Sequence, residues 1–323
     1  MGMVPIGLDV GYGYTKAVSP ERIVSFPSLV GVVGGDLFQL DGRSVSRIRF
    51  DGREYVCGEA ALKHSILSVE VRNRDFVNSD IYRVLTLWAL AELKVERASA
   101  VFGLPVGHYA QLKPQVLKYG GVCEFEINGA PVRAVLEVLE VVPQPAGTVF
   151  DLLLNRLGEP TSEEFLDKSV GVIDVGYFTT DLIVLEDLEF VTSKSQGCDL
   201  GVSVLLESIR CELERAFKTS FALREVERVV RKGAVRIEGA EHPVELEGHL
   251  RDFAQGVLSF VRNAWGDPRK LDVVILTGGG AELLYGLLKE EIPHLRTVSS
   301  PVFSNARGFQ KYAVRLLRRK EGW

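Results

Sequence analysis

One eight-residue pattern occurs twice in this chain. Asp9-Val10-Gly11-Tyr12-Gly13-Tyr14-Thr15-Lys16 aligns with Asp174-Val175-Gly176-Tyr177-Phe178-Thr179-Thr180-Asp181. Asp, Val, Gly and Tyr are identical in order, and Thr15 aligns with Thr180. The copies lie 165 positions apart in a chain of 323 residues, about half its length. Each copy follows an apolar run and precedes another, which reads as strand, glycine turn, strand. One D-x-G would be trivial, but two in the same setting predict a duplicated domain. Length agrees, since roughly 150 residues per domain gives about two domains.

Around the turns, strands and helices alternate, which predicts an α/β fold. Residues 79–93 form the clearest helix: Ser79 or Asp80 caps it, and Ile81, Val84, Leu85, Trp88, Leu90 and Ala91 recur at helical spacing. Residues 98–104 are a buried strand ending at Pro105, and 134–142 a strand ended by Pro143. A helix over 145–157 is entered through Pro145. A polar stretch, 159–167, crosses to the second half, where strands are expected at 170–173, 182–185 and 271–276. Helices are expected at 200–217, 224–231, 249–265, 281–290 and 306–319. Asp41-Gly42 and Asp51-Gly52 read as hairpin turns.

Composition narrows the class of function. A net charge of −5 offers no global basic field for nucleic acid. Cys57, Cys123, Cys198 and Cys211 show no C-x-x-C spacing, so they read as reduced, buried thiols rather than a disulfide framework or a zinc site. The five histidines are scattered and form no H-E-x-x-H pattern. No apolar run reaches the ~20 residues of a membrane span, and no basic leader precedes Asp9, so a cytoplasmic protein is expected. Arg315, Arg318, Arg319 and Lys320 end the last helix. Solvated cations at a helix C-terminus explain them most simply, with an acidic partner or nucleic acid as the alternative.

The repeated turns suit a nucleotide. Glycines let backbone N–H groups approach phosphate oxygens. Asp9 and Asp174 each end a strand, where a carboxylate can hold Mg²⁺ through water or orient an attacking water. Lys16 supplies positive charge, and Thr179 and Thr180 supply hydroxyls. A third element, Gly278-Gly279-Gly280, joins a buried strand to a helix and lets a base or phosphate meet bare backbone. Each element alone could simply be a tight turn.

In order and spacing these three segments resemble the phosphate-1, phosphate-2 and adenosine motifs of the actin, Hsp70 and sugar-kinase superfamily. The short chain, the Lys16 that closes the first turn, Val142-Pro143-Gln144-Pro145-Ala146-Gly147 and Asn305-Ala306-Arg307-Gly308-Phe309 are most similar to prokaryotic actin-like proteins of the ParM-like plasmid-segregation and archaeal actin type. The resemblance implies two related, ribonuclease H-like α/β domains around a nucleotide cleft. The first would cover 1–148 and recover 303–323, and the second would cover 149–302. It implies that Asp9 holds Mg²⁺, that Gly11, Tyr12, Gly13, Tyr14 and Lys16 bind β- and γ-phosphates, and that Gly176, Tyr177 and Thr179 embrace them from the second domain. Gln144 would position the lytic water, Asp174 would assist it or the metal, and Gly278, Gly279 and Gly280 would line the adenosine pocket.

A neutral Gln is no strong base, so slow ATP hydrolysis to ADP is implied. Many members carry Ser or Thr in place of Tyr12 and a further Gly in place of Tyr177. Lys232 and Glu214 are the candidates for base contacts, against a solvated helix face as the plainer reading. The function implied is a filament-forming ATPase that assembles with itself, works in plasmid segregation and reaches DNA through a separate adaptor. A non-polymerising ATPase and a small-molecule kinase or activator on the same fold are the rivals.

Overall fold

A computed structural model of the chain describes residues 2–33, 45–64, 67–69, 74–161 and 163–320. The turn expected at Asp41-Gly42 lies outside the described residues. The chain divides into two compact units, residues 1–164 with 303–323, and residues 165–302.

In the first unit, strands Val4–Val10, Tyr14–Val18 and Ile23–Pro27 form an antiparallel meander. On its other side Val4–Val10 pairs in parallel with Arg97–Leu104, which pairs in parallel with Ala130–Pro143. The sheet continues through Gly121–Ile127 and four short strands to a total of ten. The Asp51-Gly52 turn is present with both residues at positive φ, 48° and 72°. Strand Arg97–Leu104 is buried on both faces, as expected of a parallel strand covered by helices. Ala98, Ala100, Phe102 and Leu104 join the cluster that includes Tyr82, Leu85 and Trp88 of helix Asp80–Leu93. Val101 faces the other way, with Phe309 and Ala313 of helix Ser304–Lys320. The cap of helix Asp80–Leu93 is Ser79, whose side chain accepts from Tyr82 N–H at 3.3 Å.

Glycines bring the last helix down onto this sheet. A Cβ on Gly7 would overlap the Ala306 carbonyl, and one on Gly308 would overlap the Gly147 carbonyl. Helices Gln144–Leu153 and Ser304–Lys320 therefore meet backbone to backbone. Thr148 seals the contact from below, with its hydroxyl 2.8 Å from Ser304 Oγ and donating to Asn305 Oδ1 at 2.8 Å. The helix from Gln144 is shorter than the 145–157 expected, because Asn155 Oδ1 accepts from the N–H groups of Leu157 and Glu159 and closes a turn. This helix packs on the last helix inside the first compact unit.

The basic end of the last helix stays partly solvated, with Arg318 and Lys320 side chains 38% and 59% exposed, and it also makes contacts. Arg315 donates to the Gly158 carbonyl at 3.2 Å, Arg318 to the Leu157 carbonyl at 2.8 Å, and Lys320 pairs with Glu137 at 2.8 Å. The thiols differ from expectation. Only Cys57 is buried, with burial pushing it well above the ordinary thiol range, and Cys211 is exposed.

The second unit repeats the topology of the first. Glu189–Phe190, Thr180–Glu186 and Ser169–Val175 run antiparallel, and Ser169–Val175 pairs in parallel with Val273–Thr277, which pairs in parallel with Leu295–Thr297. The order and sense match the first five strands of the first unit. Helices Val202–Phe217, Glu247–Trp265 and Ala281–Glu291 cover its core. Trp265 is wedged over Gly171, and its indole donates to the Lys194 carbonyl at 2.8 Å. Helix Leu223–Lys232 and the hairpin of Ala234–Ile237 with Ala240–Pro243 complete this unit, the hairpin lacking a signal strong enough to read in advance.

The close helix crossing makes Gly308 intolerant of any side chain. Gly308→Ala should lower unfolding free energy by about 2–3 kcal/mol in urea titration, through overpacking.

Candidate functional site

In the first unit the antiparallel register sets Lys16 directly opposite Asp9. Both point to one end of the strands, and Lys16 Nζ lies 3.0 Å from Asp9 Oδ2. Asp9 is 3% exposed, so its charge sits nearly out of water and depends on its donors. The second donor comes from far along the chain: Gln144 Nε2 donates to Asp9 Oδ1 at 2.7 Å. Gln144 stands at the first position of its helix, where strand Ala130–Pro143 ends. Asp9, Lys16 and Gln144 thus form one hydrogen-bonded cluster beside the first glycine turn.

That turn is held from behind. Ser28 Oγ donates to the Gly11 carbonyl at 2.5 Å, Ser28 N–H donates to the Gly13 carbonyl at 2.9 Å, and the Thr15 hydroxyl meets Ser28 Oγ at 2.9 Å. Ser28 has no signature in sequence, since it belongs to no motif and lies seventeen residues from Gly11. Tyr12 turns its ring into the core, 5.1 Å from the Phe76 centroid, and Phe76 meets Tyr82 edge-on at 5.3 Å. Burial pushes the Tyr82 hydroxyl well above the usual phenol range, with Tyr119 and Asp9 adding to the shift. Tyr12 thus gives the turn an aromatic anchor.

In the second unit the same register sets Asp181 opposite Asp174. Asp174 is 6% exposed and Asp181 2%. Asp181 accepts from Thr179 Oγ1 at 2.7 Å. The turn between them is closed by Gly176 N–H donating to the Thr179 carbonyl at 2.8 Å. Helix Val202–Phe217 starts against it, with Val202 and Ser203 N–H donating to the Gly176 and Tyr177 carbonyls at 3.0 and 2.7 Å. The Tyr177 ring packs on Phe178 and lies under the Arg224 guanidinium at 5.0 Å. Arg224 in turn pairs with Glu227 at 2.9 Å.

The triple glycine closes on this same turn. Gly278 has φ 88°, and a Cβ there would overlap the Asp174 carboxylate. A Cβ on Gly280 would lie 2.5 Å from the Val175 side chain, and Gly280 N–H donates to the Val175 carbonyl at 2.9 Å. Gly279 alone faces open space. Two of the three glycines are therefore required by packing on Asp174 and Val175. Of the residues weighed for base contacts, Glu214 accepts from Phe221 N–H at 3.0 Å and so orders the turn after its own helix, and Lys232 is exposed in the last turn of helix Leu223–Lys232.

Among the described residues no group of three or more His, Cys, Asp and Glu is arranged to hold a metal ion. The first unit presents one nearly buried aspartate beside its glycine turn, Asp9, and the second presents two, Asp174 and Asp181. Removing the cation beside Asp9 leaves a buried charge with one donor fewer. Lys16→Met should cost about 3 kcal/mol of stability, measured by urea unfolding at neutral pH.

Two families match the chain in tandem: actin-like proteins, N-terminal domain, over residues 7–147, and the archaeal actin homologue MreB-like C-terminal domain over residues 172–290. Archaeal actin homologs of Thermoplasma acidophilum and Thermoplasma volcanium are 24% and 25% identical, with 97% of this chain and 99% of each relative aligned. Among solved structures, the archaeal actin homolog Ta0583 superposes with a TM-score of 0.83 at 22% identity, covering 97% of this chain and 100% of that one. That homolog has also been solved in complex with ADP. A fifteen-stranded ParM filament from Clostridium botulinum superposes at 0.79 and 22% identity, covering 97% of this chain and 99% of its subunit. By its actin-like fold and its two tandem domain matches, the chain belongs to the prokaryotic actin-like proteins.

Proposed function

We propose that this protein binds and slowly hydrolyses ATP and that nucleotide controls its assembly into filaments. The observation that carries this reading is the buried Asp9–Lys16–Gln144 cluster beside one glycine turn, with Asp174 in the matching position of the second unit. The ADP complex of an archaeal homolog and the filament of a ParM support it from outside the chain.

The residues present suit a nucleotide with Mg²⁺. Hard oxygen donors are what that ion takes, and one or two carboxylates with water suffice. We assign Asp9 and Asp174 to hold it through water; when bound, it neutralises phosphate charge. Both carboxylates are nearly buried, which strengthens their field. Lys16 meets the phosphates as a point charge. The Gly11–Tyr14 and Gly176–Thr179 turns offer backbone N–H groups, and Gly278–Gly280 lies against the nucleoside. With their rings in packing contacts, Tyr12 and Tyr177 act through backbone rather than side chain. Gln144 orients the attacking water without abstracting its proton outright, which accounts for slow turnover.

Nucleotide-dependent assembly then follows if subunits join better in one nucleotide state than the other. A head-to-tail contact that does not close gives a filament. Among the described residues no helix is long and apolar enough to cross a membrane, and the net charge of −5 leaves any DNA to an adaptor protein. Work in the cytoplasm on plasmid or other DNA segregation is the role this assembly fits.

Light scattering and electron microscopy of the purified protein with ATP, ADP and a non-hydrolysable analogue test this, with phosphate release measured alongside. ATP-dependent filaments with phosphate release are expected. No assembly in any state, or ATP consumed only when a metabolite is added, would favour the non-polymerising ATPase or the kinase instead. Gln144→Ala should slow phosphate release by at least about tenfold and leave ATP affinity within about twofold.

A further inference from the structure

Among the described residues, the hydroxyl of the fully buried Tyr82 meets no hydrogen-bond acceptor. Tyr82 lies on helix Asp80–Leu93. Its ring is held between Phe76, edge-on at 5.3 Å, and Tyr119, whose centroid lies 5.5 Å away. The direction of the hydroxyl is therefore fixed by packing. An orphaned buried hydroxyl costs stability, and a Phe would keep both ring contacts without that cost. Tyr119 next to it shows the ordinary arrangement, since its hydroxyl donates to the Val77 carbonyl.

The surroundings of this hydroxyl name the acceptor it suits. The groups that act on it electrostatically are Tyr119, Asp9 and Tyr12. Of these, Asp9 alone is a carboxylate. An ionised carboxylate has about four lone-pair sites, and Lys16 and Gln144 occupy one each. Lys16 keeps 17% of its side chain exposed, so its ammonium is open to a ligand arriving from solvent. A phosphate at the first turn competes with Asp9 for that ammonium. Asp9, at 3% exposed, cannot turn to solvent for a replacement. The turn is also tied to Tyr82 through packing, because the Tyr12 ring meets Phe76 at 5.1 Å.

We propose that Tyr82 is a positioning residue for Asp9 in the nucleotide-bound protein: its hydroxyl donates to the carboxylate when Lys16 turns to the phosphates. The inference rests on the ATP reading and adds to it a residue outside all three glycine turns. The chain keeps an unfavourable hydroxyl in the free protein because the bound protein uses it. An O–H···O⁻ bond closed off from water is among the stronger hydrogen bonds. The hydroxyl keeps its proton throughout, since burial, Tyr119 and Asp9 all favour the neutral phenol.

Two readouts on the full chain test this: thermal unfolding without nucleotide, and calorimetric titration with ATP and Mg²⁺. Tyr82→Phe should unfold at the wild-type Tm or slightly above it, yet bind ATP at least about fivefold more weakly. Tyr119→Phe is the control. It removes a hydroxyl that already has a partner, so it should lower Tm by about 2–4 °C and leave ATP affinity within about twofold. A Tm deficit for Tyr82→Phe as large as that of Tyr119→Phe means that the hydroxyl is already partnered in the free protein, and it overturns the proposal. A smaller loss of ATP affinity in Tyr82→Phe overturns it too. Wild type that binds no ATP defeats the ATP reading itself. If wild type and Tyr82→Phe bind ATP alike, that reading stands and only the role of Tyr82 falls.

Discussion

A single carboxylate organises the first unit. Asp9 is almost out of water, and an ionised group there is tolerable only with donors on both oxygens. One donor, Lys16, is local and fixed by hairpin register. The other, Gln144, stands 135 residues away and arrives only if strand Ala130–Pro143 and the helix after it are in place. That helix is in turn set by its close crossing with the last helix, through Gly147 and Gly308. The ends of the chain and its middle therefore converge on one buried charge.

The second unit keeps the plan and changes the chemistry. Strand order, pairing sense and register around Asp174 repeat those around Asp9, and Gly11 and Gly176 each sit 3.1 Å, at an added Cβ, from the carbonyl three residues on. Where the first unit has Lys16, the second has Asp181. One half thus pairs its aspartate with a cation, and the other sets two acidic side chains opposite one another. The duplicated scaffold thus carries divergent charges at matching positions.

Much of this was legible in the sequence, because the signals were local. The repeated D-V-G-Y turn, the Ser79 cap and the apolar run before Gly278 are each written within a few residues. What escaped was contact between distant segments. Ser28 behind the first turn, Arg224 over Tyr177 and Arg315 on Gly158 depend on tertiary proximity, which leaves no periodicity to read. The Gln144 helix ended early because a side chain, Asn155, outcompeted the helical backbone for its own N–H groups. The glycines of 278–280 looked like a ligand surface, yet two of them are explained by neighbours within the fold.

The central claim is that two duplicated halves act together on one nucleotide. Isothermal titration calorimetry of the purified chain with ATP and Mg²⁺ tests it most directly, through the number of sites. The account predicts one ATP per chain, with binding lost when either Asp9 or Asp174 is replaced by Ala. Two independent sites per chain, or a single site indifferent to one of the two aspartates, would contradict it.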